Sequence, residues 1–289
     1  MAAHTAKEKK TPKKSKSKKD YRYGYGESIP GESGGLCDKM SFTAAEAYKM
    51  LRTKINLIIP HDMETDPTLG EPVHKCKIIG ITSALRGEGK STTSINLAYT
   101  IAETGSRVLL MEADMRLPNL AKGLSLQQSL GLSNLLTGQA NGSEVLQRYA
   151  SKDGNKIFVI TAGDIPPRPS ELLESANMKK VFDALSVNFD YIIVDLPPVT
   201  AVTDAISVSQ VVDGMLLVVR QDYCDKVSLQ DTLYQFKLTN TKVLGVVFNS
   251  SDGPGGKGSY YRKGRKYYGS RGYGSYGYGS TYGNNGKSN

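Results

Sequence analysis

The chain has 289 residues, 39% of them hydrophobic, and a net charge of +9, which suits one large folded domain or two small ones. No run of about 18 apolar residues occurs and the start has no apolar signal core, so we expect neither a membrane span nor a secretory leader. Cys37, Cys76 and Cys224 fit neither a disulfide framework nor a zinc site, which favours a reducing, cytoplasmic compartment.

The positive charge is concentrated at the two ends of the chain. Residues 1–20 hold eight lysines against Glu8 and Asp20, and residues 251–289 hold seven Lys/Arg against Asp252, so each end carries +6. The whole chain carries +9, which leaves −3 for the residues between the ends. We predict that residues 1–35 form a disordered basic arm, either a solvated linker or a tether to anionic lipid or nucleic acid.

The first predicted element is a helix. It lies in the segment "SFTAAEAYKMLRTKINLII", whose first residue is Ser41. Its apolar residues follow helical spacing, and Ser41 or Thr43 is a suitable N-cap. The residues of that apolar stripe are Ala47, Met50, Leu51, Ile55 and Ile58.

From Cys76 onward, short apolar runs alternate with helical stretches. Several runs are apolar throughout, which is typical of strands buried on both faces. The six runs are "CKIIGIT", "RVLLMEA", "KIFVITA", "DYIIVDL", "GMLLVVR" and "KVLGVVF". This alternation predicts a three-layer α/β fold over residues 36–252, with a parallel sheet, helices on both faces and ligands at the carboxyl ends of the strands.

A glycine-rich loop, "TSALRGEGKSTT", lies between the first of these strands and a helix. Backbone N–H groups of such a loop cradle phosphates, together with the helix N-terminus. Lys90 would reach the β- and γ-phosphates, Ser91 would bind Mg²⁺ and Thr92 would sit beside the α-phosphate. Ala84 occupies the first glycine position of the usual pattern. The expected nucleotide-binding residues of the loop are Gly87, Glu88, Gly89, Lys90, Ser91 and Thr92.

Three carboxylates follow strands that should end beside this loop. Glu112 and Asp114 lie two residues apart after "VLLM", and Asp195 ends "YIIVD". We predict that Asp195 and Glu112 join Ser91 at the metal, and that Glu112 or Asp114 takes the proton of an attacking hydroxyl, with Lys90 neutralising charge. The alternative for each acid at a strand end is a helix N-cap.

These motifs together resemble the bacterial tyrosine kinases of capsule and exopolysaccharide systems over roughly residues 42–252. "MEADMRLP" and "FDYIIVDLPPVTAVTDA" carry the likeness together with the phosphate loop. The resemblance implies a P-loop NTPase fold with a deviant Walker A motif, in the partition-ATPase-like group. It also implies ATP and Mg²⁺ as cofactors, and ATP-dependent autophosphorylation in trans that regulates polysaccharide synthesis and export.

The acceptors implied by the resemblance are tyrosines in the terminal segment, residues 253–289, which we predict to be disordered. Its Gly, Ser and basic residues would allow many tyrosines to enter one site in turn. We expect the basic residues to be drawn to an acidic catalytic rim. An alternative for such a composition is a sticky, RNA-binding segment. The expected acceptors are Tyr260, Tyr261, Tyr267, Tyr268, Tyr273, Tyr276, Tyr278 and Tyr282.

Further positions follow from the resemblance alone. Glu46, Lys49 and Arg52 would contact the next subunit of a ring that phosphorylation disassembles, although Lys49 lacks the planar fork of the usual arginine. Arg220 and Asn249 would lie near the nucleotide.

One departure from the family pattern concerns the acids. Glu112 stands where the family usually has Asp. A misplacement of about 1 Å at a reacting centre costs on the order of 100-fold in rate.

The resemblance also implies partners and a location. We expect a membrane-embedded activator that regulates chain length, a cognate tyrosine phosphatase and a position at the inner face of the plasma membrane. We also expect contact of the Lys-rich arm with anionic lipid, and no nucleic-acid partner. Two rival functions are a partition-type P-loop ATPase, disfavoured because Leu85 replaces its signature lysine, and an ATP-binding scaffold with weak transfer.

Overall fold

In the computed structural model of the chain, residues 40–59, 63–65, 72–151 and 154–249 are described. The basic arm predicted for residues 1–35 lies outside these ranges, as do Cys37 and the tyrosine-rich segment with all eight expected acceptors.

Helices and strands alternate along most of the described chain. The helices are α1 (Phe42–Ile58), α2 (Lys90–Ala102), α3 (Leu120–Leu124), α4 (Leu132–Thr137), α5 (Gly142–Val145), α6 (Pro169–Glu174), α7 (Ala176–Ser186), α8 (Asp204–Ser209) and α9 (Lys226–Leu238). The strands are β1 (Met63–Thr65), β2 (Pro72–His74), β3 (Lys77–Ser83), β4 (Val108–Glu112), β5 (Gln147–Ala150), β6 (Lys156–Ile160), β7 (Tyr191–Asp195), β8 (Gly214–Arg220) and β9 (Val243–Asn249). None of the helices in these ranges is both long enough and apolar enough to cross a bilayer.

Seven strands form the central sheet in the order β5-β6-β4-β7-β3-β8-β9. All pairs are parallel except β5 and β6. The predicted fold is therefore confirmed, with one antiparallel edge strand that the sequence did not predict. The residues of β5 are half-buried or exposed, so this strand has no apolar run to mark it. A separate pair, β1 and β2, is antiparallel.

Two apolar cores lie on opposite faces of the sheet and make the fold three-layered. One core contains Ile55 of α1 and the buried side of α2, packed on β3, β4 and β7. The other contains Phe182 of α7 and Phe236 of α9, together with residues of α4, α6 and α8. The strands β4 and β7 are buried at every position, as their continuous apolar runs predicted.

Helix α1 begins as expected, with the Ser41 hydroxyl accepting a hydrogen bond from the Ala44 N–H. Its buried face differs from the predicted stripe, because Ile55 is its one buried residue while Met50 is 60% exposed. Arg52 donates to the Thr100 carbonyl of α2 at 2.5 Å, near the end of that helix where carbonyls lack intrahelical partners. Arg52 thus fastens α1 to α2 within the chain.

The order of the central strands determines where a ligand site forms. Strand β7 lies between β4 and β3, and its Asp195 is in register with Glu112 of β4 and Ile81 of β3. The carboxyl ends of these three strands therefore meet at one edge of the sheet, beside the loop that follows β3. This is the position at which open parallel sheets bind ligands.

Candidate active site

The phosphate loop connects β3 to α2 and borders a cavity of about 670 Å³. Gly87 and Gly89 have φ values of +86° and +93°, a region that side chains disfavour, so glycine suits both positions. The loop side of the cavity consists of Arg86, Gly87, Gly89, Lys90, Ser91 and Thr92. The opposite walls come from the segments after β4 and β7, including Asp114, Arg116, Leu117, Pro197 and Pro198. The structure thus brings most of the predicted loop residues together around one space.

Lys90 lies at the base of this cavity between two acids. Its Nζ is 2.9 Å from Oδ2 of Asp114 and 3.9 Å from Oδ1 of Asp195, and all three side chains are nearly buried. Burial opposes the charge of Lys90, but the carboxylates of Asp195 and Asp114 outweigh it and raise the lysine pKa. One ammonium group therefore serves two carboxylates, and the cluster keeps a surplus of negative charge.

Asp195 has the environment of a metal-binding acid. Its Oδ1 accepts a hydrogen bond from Ser94 at 3.2 Å, while Oδ2 is buried with no hydrogen-bond partner in the described part of the chain. Burial raises the Asp195 pKa, whereas Lys90 and the Ser91 hydroxyl lower it. A buried acceptor without a partner is costly, and a hydrated cation beside Ser91 would satisfy it. The residues present therefore fit Mg²⁺ held by Ser91 and, through water, by Asp195.

Glu112 does not line the cavity, although the sequence predicted it at the metal or as the base. Its Oε1 accepts hydrogen bonds from the N–H groups of Asn119 and Leu120 at 2.5 and 2.8 Å, and its Oε2 accepts one from Ala162 at 3.2 Å. Burial raises the Glu112 pKa and these backbone donors lower it. Glu112 thus matches the alternative given for an acid at a strand end, because it binds the N-terminus of a helix. Its carboxylate connects the start of α3 to the segment that follows β6.

Asp114 lines the cavity, and Arg116 two residues later forms part of the wall. The Arg116 guanidinium is held by Oδ2 of the fully buried Asp204 at 3.0 Å and by Oγ of Ser170 at 2.8 Å. Sequence reasoning missed Asp204 and Ser170. They lie 88 and 54 residues from Arg116. The available signal was Asp204 as the one charged residue within "VTDAISV".

Arg220 and Asn249, expected near the nucleotide, lie against the phosphate loop but are not among the residues that line the cavity. Arg220 Nη1 donates to the Gly87 carbonyl at 3.3 Å, and Asn249 Nδ2 donates to the Glu88 carbonyl at 2.9 Å. The carboxylate of Glu88 is also turned away from the cavity, since it accepts from the N–H groups of Leu85 and Arg220 at 2.6 and 3.2 Å. All three residues thus support the loop from its outer side.

The charge of the cavity lining is basic. Asp114 is its one acid among the described residues and is paired with Lys90. The basic residues of the lining are Arg86, Lys90, Arg116 and Lys122. The lining therefore lacks the acidic character expected of a catalytic rim, because Glu112 and Asp195 are buried outside the lining and Asp114 is paired with Lys90. A basic lining suits an anionic ligand such as a nucleotide.

Comparisons with known proteins agree with the fold and indicate a family. A family model described as an AAA domain matches residues 76–243. Tyrosine-protein kinase YwqD of Bacillus subtilis is 33% identical over 205 residues, which cover 71% of this chain and 80% of the relative. Tyrosine-protein kinase CpsD of Streptococcus pneumoniae is 37% identical over 180 residues, which cover 62% and 78%. The solved kinase domain of Escherichia coli tyrosine kinase ETK superposes with a TM-score of 0.64 at 26% identity, covering 82% of this chain and 80% of that structure.

Asp195→Asn tests the cost of the buried carboxylate. The raised Asp195 pKa means that the folded chain holds this proton more firmly than the unfolded chain, so native stability falls as pH rises above the ordinary carboxyl range. Asp195→Asn should remove part of that fall, leave the ligand-free chain at least as stable near pH 7, and abolish stabilisation by Mg-ADP. Thermal denaturation across pH, with and without Mg-ADP, measures all three effects.

The matched control is Asp204→Asn, because Asp204 is equally buried but fully bonded to Arg116 and Ser170. That variant should lose roughly 1–3 kcal/mol of unfolding free energy. Equal losses in the two variants would contradict this account of Asp195.

Glu112→Asp distinguishes a structural carboxylate from a metal ligand. The shorter side chain cannot reach the N–H groups of Leu120 and Ala162 together, so we expect a loss of roughly 1–3 kcal/mol in urea unfolding. The Mg²⁺ dependence of ADP affinity should stay unchanged. Glu103→Asp, at an exposed position just after α2, is the control. A shifted Mg²⁺ dependence with full stability would place Glu112 at the metal instead.

Proposed function

The chain belongs to the bacterial tyrosine kinases, and from that premise we propose that it transfers the terminal phosphoryl group of ATP to tyrosines of its own C-terminal segment. The transfer takes place in trans, and it regulates the synthesis and export of a capsular or extracellular polysaccharide. The observation that carries the proposal is the buried cluster of Lys90, Asp114 and Asp195 at the base of a cavity of nucleotide size.

Each group at the cavity has a separate task in this reaction. The N–H groups of the loop and of the first turn of α2 bind the phosphates, and Lys90 neutralises charge on the phosphoryl group in transfer. Ser91 and Asp195 would hold Mg²⁺, which supplies further neutralisation of phosphate charge when bound. Arg116, held by Asp204, presents a fixed positive charge on the wall where an acceptor would enter.

Asp114 is the base in this proposal. A phenol has a pKa of about 10, so at neutral pH a carboxylate must accept its proton as the new O–P bond forms and the bond to ADP breaks. Asp114 lines the cavity, whereas Glu112 does not. In the structure Asp114 is paired with Lys90. Phosphate groups compete with Asp114 for the Lys90 ammonium group. When Lys90 pairs with the phosphates instead, Asp114 is free to accept the proton of the phenol.

The proposed acceptors are the eight tyrosines between Tyr260 and Tyr282. Their segment follows directly after β9, whose last residue, Asn249, is bonded to the phosphate loop. A basic segment does not complement the basic lining of the cavity, so the approach of the tail depends on other surfaces. The tyrosines Tyr21, Tyr23 and Tyr25 of "YRYGYG" form an alternative acceptor group.

The proposal includes an assembly at the inner face of the plasma membrane. A membrane-embedded activator orders the site, a tyrosine phosphatase reverses the modification, and the Lys-rich arm contacts anionic lipid. Glu46 and Lys49 are exposed on α1 and 2.8 Å apart, so they are available to a neighbouring subunit. The Arg52 guanidinium donates to a carbonyl of α2 in the same chain. We therefore propose that Arg52 contributes less than Glu46 and Lys49 to the contact between subunits of the ring.

Phosphorylation changes the charge of the tail by about −1.5 to −2 for each group, so three to four phosphates cancel its +6. We propose that this change loosens the ring. Because the cavity lining is basic, the surface that attracts the unmodified tail in this scheme lies elsewhere on the subunits.

Mixing two variants tests the transfer. A Lys90→Met chain with an intact tail cannot transfer phosphate, and a chain in which the eight tail tyrosines are Phe cannot accept it there. Co-expressed in the native cells, the two should yield phosphotyrosine on the Lys90→Met tail, read by mass spectrometry of residues 257–289. Lys90→Met alone should give none. Replacing Tyr21, Tyr23 and Tyr25 with Phe is the matched control and should leave tail phosphorylation unchanged.

Three outcomes would contradict the proposal in different ways. ADP and free phosphate without phosphotyrosine would favour a partition-type ATPase. ATP binding with neither product would favour a scaffold. Phosphate on residues 21–25 alone would move the acceptor site to the other end of the chain.

A further inference from the structure

The phosphate loop is held from its outer side by three side chains that bind three successive carbonyl groups. The Tyr223 hydroxyl donates to the Arg86 carbonyl at 2.9 Å. Arg220 and Asn249 donate to the next two carbonyls, those of Gly87 and Glu88, as described above. We call Arg220, Tyr223 and Asn249 the outer clamp. None of its members is among the described residues that line the cavity.

The outer clamp determines the direction of the N–H groups on the inner side of the loop. A trans peptide unit is planar, so its C=O and the N–H of the following residue point in opposite directions. No peptide bond in the described ranges is cis. With the carbonyls of residues 86–88 bonded outward, the N–H groups of Gly87, Glu88 and Gly89 point away from the clamp. Within the described ranges the N–H groups of Gly87 and Gly89 make no hydrogen bond to the protein.

This conformation needs support because the loop contains two glycines at positive φ. Glycine is the residue that loses most conformational freedom on ordering. A Cβ at Gly87 would lie 3.3 Å from the Tyr223 hydroxyl, and one at Gly89 would overlap the Asn249 amide, so the clamp residues pack directly on the glycine backbone. Contacts of this kind restrict the number of arrangements open to the loop.

Tyr223 occupies a central place in the clamp. Its ring lies under the Arg220 guanidinium, with 5.1 Å between the guanidinium carbon and the ring centroid, so it also orients the neighbouring donor. Tyr223 is 48% exposed and contributes no side chain to either apolar core. Its contacts are with the loop and with Arg220 rather than with the interior of the fold.

We propose that Tyr223 is a positioning residue for phosphate binding, which turns the N–H groups of the loop toward the cavity through the Arg86 carbonyl and through Arg220. The inference rests on nucleotide binding by the loop and not on the acceptor. Its test is therefore independent of whether the tail is phosphorylated.

Tyr223→Phe removes one hydroxyl and keeps the ring beneath Arg220. ADP affinity should fall about fivefold, the effect of losing one hydrogen bond of ordinary strength. Calorimetric titration with Mg-ADP measures this change. Hydrogen exchange at residues 85–89 should become faster in the ligand-free chain, while urea unfolding stays unchanged. Tyr223→Leu also removes the ring and should weaken ADP binding further.

Tyr234→Phe is the matched control, because Tyr234 is 58% exposed on α9 and away from the loop. It should alter neither ADP affinity nor exchange. Native ADP affinity in Tyr223→Phe would overturn the proposal. So would weaker binding that accompanies an equal loss of global stability, since that result describes a residue that merely supports the fold.

Discussion

The buried contact of Lys90 with Asp114 and Asp195 is the constraint on which the rest of the site depends. Burying a carboxylate costs several kcal/mol unless it is paired, and here two acids share one ammonium group. The sheet order imposes this arrangement, since it places the ends of β3, β4 and β7 side by side. The cluster is therefore incomplete without further positive charge at Asp195, and its lysine is available to a stronger anionic partner.

Three groups of contacts prepare the cavity around this cluster for a nucleotide. Glu112 holds the segment after β4 against α3 and the end of β6, which fixes the position of Asp114 two residues later. Asp204 and Ser170 hold Arg116 on the far wall. The clamp on the outer side of the phosphate loop orients its N–H groups. Asp195 is thus needed for activity at a cost in stability. Glu112 and Asp204 support both the stability of the fold and the geometry of the cavity.

The sequence predicted the central strands, the loop and the base of the cavity because each follows from a local pattern. Short apolar runs marked six strands of the sheet, and the glycine and lysine spacing marked the loop. Strand β5 and helices α3 to α5 were missed, since they are short and carry no long apolar period. The role of Glu112 depends on N–H groups 7, 8 and 50 residues away, and that of Asp204 on an arginine 88 residues away. Such pairings arise only from the folded topology.

The central claim is that Lys90 leaves Asp114 for the phosphates when a nucleotide binds. A crystal structure of the full chain with Mg²⁺ and a non-hydrolysable ATP analogue tests it most directly. The account predicts the Lys90 Nζ within hydrogen-bond distance of a phosphate oxygen and beyond about 4 Å from both Asp114 oxygens. A bound analogue with the Lys90–Asp114 pair still intact would contradict it, because Lys90 would then still favour the ionised form of Asp114 and oppose proton transfer to it.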